Sequence, residues 1–139
     1  MPVLCYLNFD ENAKDALSFY QHVFKTESPE VLTYGAYKDD PNYQAPDEIK
    51  DLIMHAEIKI FDSTVMISDT PKGYETKFSL GNNFSLAVTS KDKDLLQASW
   101  DLLKQGGKII TDFGKQPFVA YYGYLVDKFG VCWQFIGTK

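Results

Sequence analysis

The sequence is poor in the residues that most often betray a function. It has two histidines, His22 and His55, and two cysteines, Cys5 and Cys132, in 139 residues. No C-x-x-C pair or Cys/His cluster has the spacing of a structural zinc site. Both cysteines sit in apolar runs, so they read as buried free thiols of a reducing compartment, not as a disulfide framework. No apolar run approaches the ~20 residues of a membrane span. The start, MPVLCYLNFDENA, has no basic region ahead of an apolar core, so no signal peptide is expected and the location is expected to be cytoplasmic. Basic residues are also outnumbered, 14 against 19 acidic ones, for a net charge of −5. That argues against nucleic acid, whose phosphates need compensating cations, and against an anionic membrane surface. A neutral or cationic ligand is compatible with it.

What is present is an ordinary globular composition with an aromatic surplus. Apolar residues make up 45% and charged ones 24%, enough for one folded domain over residues 1–139. Nine Tyr and ten Phe leave aromatic surface over for a pocket or an oligomer interface.

VLCYLNF, residues 3–9, reads as a strand. A helix follows, with Asp10 or Asn12 as its cap and Ala16, Leu17, Tyr20, Val23 and Phe24 as one apolar face. His22 lies off that face and reads as solvated. VLTYGAYK, 31–38, looks like a strand, and DDPNYQAPDE, 39–48, like a long loop. From Met54 the run at 52–61 alternates: Met54, Ala56, Ile58 and Ile60 on one face, His55, Glu57 and Lys59 on the other. A turn at Asp62–Ser63 leads into STVMISD, another strand.

After a linker at about 71–82 the pattern restarts. FSLAVTS, 84–90, is a strand, and a helix follows with Leu95, Leu96, Leu102 and Leu103 as its stripe, ended by Gly106–Gly107. Strand-like runs at 108–111, 119–126 and 131–136 complete the chain, the last two joined by DKFG. A shift of 79 residues lays Ala16, Leu17, Val23 and Phe24 on Leu95, Leu96, Leu102 and Leu103. The chain is therefore expected to be α+β, two βαβββ modules at about 1–70 and 83–139. Their sheets are expected to pair into a curved sheet with a shared cleft, with the helices on the outer face.

Three pieces, YLNFDENAKDALSFYQHVF, IMHAEIKIFDSTVMISD and YYGYLVDKFGVCWQF, together resemble the vicinal-oxygen-chelate superfamily, the glyoxalase and bleomycin-resistance fold. Within it the whole chain looks most like the PhnB-like branch. Such proteins are often described as resembling a demethylubiquinone methyltransferase. A methyltransferase needs a cofactor loop such as a Gly-rich turn after a first strand, and residues 9–15 hold no glycine.

The resemblance also implies a homodimer. In metal-dependent members it implies ligands on the first and last strands of each module. The matching positions here are Gln134, Ser68 (with Met66 on its face), Asn83 or Ser85, and Leu4 or Tyr6 depending on register. The register that turns Leu7 and Phe9 to the helix leaves Tyr6 and Asn8 facing the cleft and points Cys5 at the helix. Divalent transition metals prefer imidazole, thiolate or carboxylate ligands, so these residues do not form a ligand set. No metal cofactor is expected.

His55 either meets a ligand or hydrogen-bonds to a neighbouring strand or a dimer partner. Glu57, two residues on along the same face, is near enough to orient it. Tyr122 and Tyr124 share a strand face and offer an aromatic wall, or plain packing. Trp133, of opposite parity to Gln134, is expected in the core, and Asp69, at the end of a strand, is expected to cap the turn. Loop 39–48 is a candidate lid or dimer arm. The functional expectation is a small-molecule binding protein whose ligand contacts are Tyr6, His55, Glu57, Ser68, Tyr122, Tyr124 and Gln134. The alternative is a metal-dependent lyase, isomerase or dioxygenase of the glyoxalase type.

Overall fold

The computed structural model describes residues 1–73 and 77–139, in two compact units, Met1–Ser79 and Leu80–Lys139. The expected linker falls partly on residues 74–76, outside the described residues. Each unit has the expected order of strand, helix and three strands.

Module one comprises β1 (Cys5–Phe9), α1 (Ala13–Phe24), β2 (Glu30–Thr33), β3 (Ile53–Ile60) and β4 (Ser63–Asp69). Its sheet has the order β1-β4-β3-β2, with β1 parallel to β4 and the other pairs antiparallel. Helix α1 packs on β3 and β4. It buries Ala13, Ala16, Leu17, Tyr20, Val23 and Phe24, the face its spacing predicts. Each large apolar side chain in that interface contributes about 1.5–3 kcal/mol. Leu7 and Phe9 are buried while Tyr6 is 43% exposed, so β1 adopts the register with Tyr6 and Asn8 away from the helix.

Three expectations for this module need correcting. The run at 31–38 is a strand only to Thr33, and Tyr34–Tyr37 form a 3-10 turn. The backbone turns there because Gly35 N–H bonds Lys50 O at 2.9 Å, an approach that a Cβ on Gly35 would crowd at 3.0 Å. Met54 does not share the buried row; Ile53 does. Leu32 pairs with His55 and Thr33 with Ile53, so Met54 is the extra residue of a β-bulge, which reverses the alternation. The hairpin turn is Phe61–Asp62, since Ile60 pairs with Ser63, and Phe61 takes the left-handed conformation at φ 54°.

Asn12 occupies the cap position of α1 but makes no side-chain capping bond. The carboxylate comes from the far end of β4 instead. Asp69 is 3% exposed; its Oδ1 accepts from Ala13 N at 2.9 Å and its Oδ2 from Ile53 N at 2.9 Å. Its own carbonyl accepts from the Tyr34 hydroxyl at 3.2 Å.

Module two comprises β5 (Leu86–Ser90), α2 (Lys93–Leu103), β6 (Lys108–Lys115), β7 (Tyr121–Val126) and β8 (Cys132–Gly137), in the equivalent order β5-β8-β7-β6. Here the cap is local: Asp92 Oδ1 accepts from Leu95 N at 3.1 Å. The buried face is Leu96, Ser99, Trp100 and Leu103, spaced i, i+3, i+4, i+7. Leu95 is 41% exposed and Leu102 only half-buried, so the expected four-leucine stripe is wrong by one position in each pair. Trp100 sets the face. Its ring meets Phe113 and Phe135 with centroids 5.8 and 5.4 Å away. It sits over Gly123, where a Cβ would come within 2.8 Å of it. The helix ends at Leu103, before the glycines expected to stop it.

Strand β6 runs past the expected 108–111 to Lys115. It is an edge strand with two register shifts against β7, which erase the alternation that would have marked it. Trp133 is buried as expected, and its Nε1 donates to Asp127 Oδ2 at 2.9 Å. Asp127 Oδ1 accepts from Phe129 N and Val131 N at 2.8 and 3.1 Å, closing the DKFG turn around a buried carboxylate.

Three outcomes test this account. Gly123→Ala should cost about 1–3 kcal/mol by overpacking Trp100. Gly114→Ala, where a Cβ meets nothing within 4 Å, should stay within about 0.5 kcal/mol in the same denaturant titration. Asp69→Ala should cost about 2–4 kcal/mol, because two buried N–H groups lose their acceptor. Burial holds the Asp69 carboxyl above its ordinary value, opposed by the Ile53 and Ala13 N–H bonds and helped by the Glu11 and Asp10 charges. A carboxyl with a raised folded value binds its proton more tightly when folded. Its contribution is fully present below the unfolded value and is lost as pH rises through the folded one. The stability margin of the wild type over Asp69→Asn should therefore narrow as pH rises across that window; a margin that widens would contradict the assignment.

Candidate functional site

On the sheet of module one, the face away from α1 carries the polar residues. Parity and register put Tyr6 and Asn8 of β1 beside Met66 and Ser68 of β4, with Glu57 of β3 opposite Met66. On β2, Glu30 pairs with Glu57 and Leu32 with His55. His55 and Glu57 stay on this face because Ala56, Ile58 and Ile60 are held in the core.

Both nitrogens of His55 are engaged. The Tyr6 hydroxyl lies 3.1 Å from Nδ1, and Nε2 lies 3.3 Å from Glu57 Oε1. A carboxylate only accepts, so Nε2 carries a proton; when the ring is neutral, Nδ1 is then the acceptor of the Tyr6 O–H. The rings of Tyr6 and His55 are tilted, with centroids 5.7 Å apart, so Tyr6 reaches across β4 to β3. The three side chains form a chain of polar contacts, Tyr6–His55–Glu57. Beside it, the Ser68 hydroxyl donates to Asn8 Oδ1 at 3.3 Å. A hollow of about 720 Å³ in the same module adjoins Glu57 and is lined also by Phe24, Lys25, Glu30, Lys59 and Phe61.

Module two has its own polar row. Gln134 of β8 is tied at both ends of its amide. Its Oε1 accepts from Tyr122 at 2.6 Å, and its Nε2 donates to Ser85 Oγ at 2.7 Å. Phe118 packs edge-on against the Tyr122 ring at 5.4 Å. Tyr124 pairs with Gln134 across the strands. Its hydroxyl is pushed above its ordinary value, first by the hydrogen bond to Cys132 and then by burial. Burial likewise pushes up the Cys5 thiol, which removes it from the reactive thiolate state.

The expected site residues therefore fall into two groups. Tyr6, His55, Glu57 and Ser68 share the open face of module one; Tyr122, Tyr124 and Gln134 share that of module two. Asn83 takes no part in the Gln134 network, and Ser85 does. The Tyr6–His55 contact is not foreseen by sequence reasoning. Its partners are 49 residues apart, and the signal that could have found it is the parallel β1–β4 pairing.

Neutral donors dominate both groups. Among the described residues no group of three or more His, Cys, Asp or Glu side chains could hold a metal ion. Gln134 Oε1, the atom a metal would need, already accepts from Tyr122. The residues present do not fit the metal of metal-dependent superfamily members. They do not fit a methyl-donor nucleoside at the β1–α1 turn either. That turn, Asp10–Asn12, has no glycine, and the Ala13 N–H at the helix start is taken by Asp69. No helix among the described residues is long and apolar enough to cross a membrane.

Two four-stranded mixed sheets, each with one helix in βαβββ order, define the vicinal-oxygen-chelate fold. The glyoxylase/bleomycin resistance protein/dioxygenase domain from Frankia sp. shares it at 12% identity and a TM-score of 0.64, over 100% of this chain and 98% of that one. Residues 2–136 match the family model described as 3-demethylubiquinone-9 3-methyltransferase, and the chain belongs to that family. It is 28% identical to protein YjdN of Escherichia coli (strain K12), over 96% of this chain and 92% of that one. Protein PA1353 from Pseudomonas aeruginosa is 25% identical with a TM-score of 0.83, covering 99% and 98% of the two chains. A putative 3-demethylubiquinone-9 3-methyltransferase, PhnB protein, from Bacillus cereus has a TM-score of 0.74 at 24% identity, covering 99% and 100%.

The Gln134 network makes its own prediction. Gln134→Glu should be tolerated, because the Ser85 hydroxyl can rotate to donate and Tyr122 already donates. Gln134→Leu should cost about 1 kcal/mol or more by stranding both hydroxyls. Equal melting temperatures for the two variants would refute that assignment.

Proposed function

We propose that this PhnB-like chain binds a small organic ligand and does so without the metal of its metal-dependent relatives. The observation that carries this reading is the donor chemistry: neutral, mutually bonded side chains stand at the ligand-type positions, led by Gln134 with both ends of its amide engaged. In the same reading the candidate ligand contacts are Tyr6, His55, Glu57 and Ser68 on module one, and Tyr122, Tyr124 and Gln134 on module two. Of these module-one contacts only Glu57 lines the hollow, which therefore borders these side chains and does not enclose them. The net charge of −5 suits a neutral or cationic guest over an anionic one. A cytoplasmic homodimer is part of the proposal.

Two measurements test it. Elemental analysis of the purified protein should find far less than one zinc, nickel, iron or manganese per chain; close to one would reverse the reading in favour of a metal enzyme. A thermal-shift screen of small organic molecules should find stabilisers, and a ligand at ~100 times its dissociation constant adds ~2.7 kcal/mol. Their effect should fade in His55→Ala. Hits that stabilise that variant as much as the wild type would remove His55 from the site.

A further inference from the structure

We propose that Tyr6, His55 and Glu57 form a proton relay whose working end is the Tyr6 hydroxyl, and that it takes a proton from a weakly acidic phenolic ligand. The proposal rests on module one's open face being a ligand face and adds what that face does. His55 has no free nitrogen: Nε2 faces Glu57 at 3.3 Å and Nδ1 faces Tyr6 at 3.1 Å. With both ring nitrogens engaged, a ligand meets the hydroxyl that leans on the imidazole; Tyr6 is 43% exposed and the Glu57 side chain at the other end 50%, and of these two open ends Tyr6 is the one that carries an O–H. A hydroxyl that donates to a base retains lone pairs with which to accept a second hydrogen bond. Other charged groups on this face are Glu30, opposite Glu57, and Lys59, next along β3; β4 contributes only Thr64, Met66 and Ser68.

The transfer balances within these atoms. The ligand's O–H bond breaks and its proton joins the Tyr6 oxygen. The Tyr6 O–H bond breaks with it, and that proton joins His55 Nδ1. The products are a phenolate ligand and an imidazolium whose Nε2–H is held by the Glu57 carboxylate, an opposite charge that favours the charged ring. The Tyr6 ring and the Met66 side chain, paired across β1 and β4, offer a flat apolar surface for an aromatic ligand. Tyr6 touches the ligand; His55 and Glu57 are positioning residues that act through it.

Two arms test the relay and the ligand class separately. The first needs no ligand. Benzenesulfonyl fluoride labelling, read by mass spectrometry of peptides, should modify Tyr6 at least about tenfold faster than Tyr43, as general-base assistance would give, although Tyr43 is 63% exposed. His55→Ala should bring Tyr6 to the Tyr43 rate, and added free imidazole should restore it, which a structural role for His55 would not produce. Glu57→Gln, checked for folding alongside, should lie between. Equal rates for the two tyrosines in the wild type, or labelling indifferent to His55→Ala and to imidazole, would overturn the relay. The second arm uses p-nitrophenol, coloured only as its phenolate. Wild type should raise the phenolate absorbance at a pH where free probe is mostly neutral, and Tyr6→Phe should not. Thermal stabilisation by the probe without a colour change would overturn proton transfer and leave binding intact. Neither stabilisation nor colour would overturn the phenolic class, with the wider ligand screen still deciding whether this face binds anything.

Discussion

One buried carboxylate holds module one together. Asp69 lies at the last position of β4, yet it accepts from the first N–H of α1 and the first N–H of β3. Three elements thus start or stop on a single side chain. The arrangement meets two demands at once: orphan donors at a helix start need an acceptor, and a buried carboxylate needs donors. It also fixes where β3 begins. Ile53 is drawn into the core by its bonded N–H, Met54 bulges, and from His55 onward the alternation runs with the polar residues outward. The open face of module one thereby carries its histidine as a consequence of a contact on the opposite side of the sheet.

Module two reaches the same topology by other means. Its helix is capped from its own chain by Asp92, and its buried carboxylate, Asp127, has moved to the β7–β8 turn, where it binds the Trp133 indole. The aromatic weight has moved as well. Where α1 buries Tyr20, α2 buries the smaller Ser99 and spends its bulk one residue later, in Trp100. That indole needs a strand without a side chain beneath it, and Gly123 provides one. The two halves therefore share element order while their cores are built around different anchors.

The open faces express a similar divergence in chemistry. A fold that holds a metal in some of its members here carries an amide, hydroxyls and phenols bonded to one another within each module. Such side chains can orient a polar ligand, and the single histidine of the open face is committed on both nitrogens to its neighbours.

The order of elements, the βαβββ repeat, the face of α1, the outward row His55–Glu57–Lys59 and the helix-facing side of β1 were legible in the chain, because local periodicity and the helix-facing apolar residues specify them. The less legible features share one cause: each depends on a residue far away in sequence. Met54 alternates correctly on its own and is displaced by the β2 pairing. Leu95 and Leu102 look apolar enough for a stripe, but Trp100 and its glycine seat rotate the helix face. Asn12 is a sound cap by type, and Asp69 takes the bond. The candidate site divides in the same way. Residue type and parity selected Tyr6, His55, Glu57 and Gln134 as outward-facing polar groups. Only the parallel pairing of β1 with β4, which lets Tyr6 span to β3, joined Tyr6 to His55, and only the β5–β8 pairing brought Ser85 to Gln134. Side-chain periodicity is a local property of the backbone and can be read along a chain; a hydrogen bond between strands is decided by register, which the tertiary structure alone supplies.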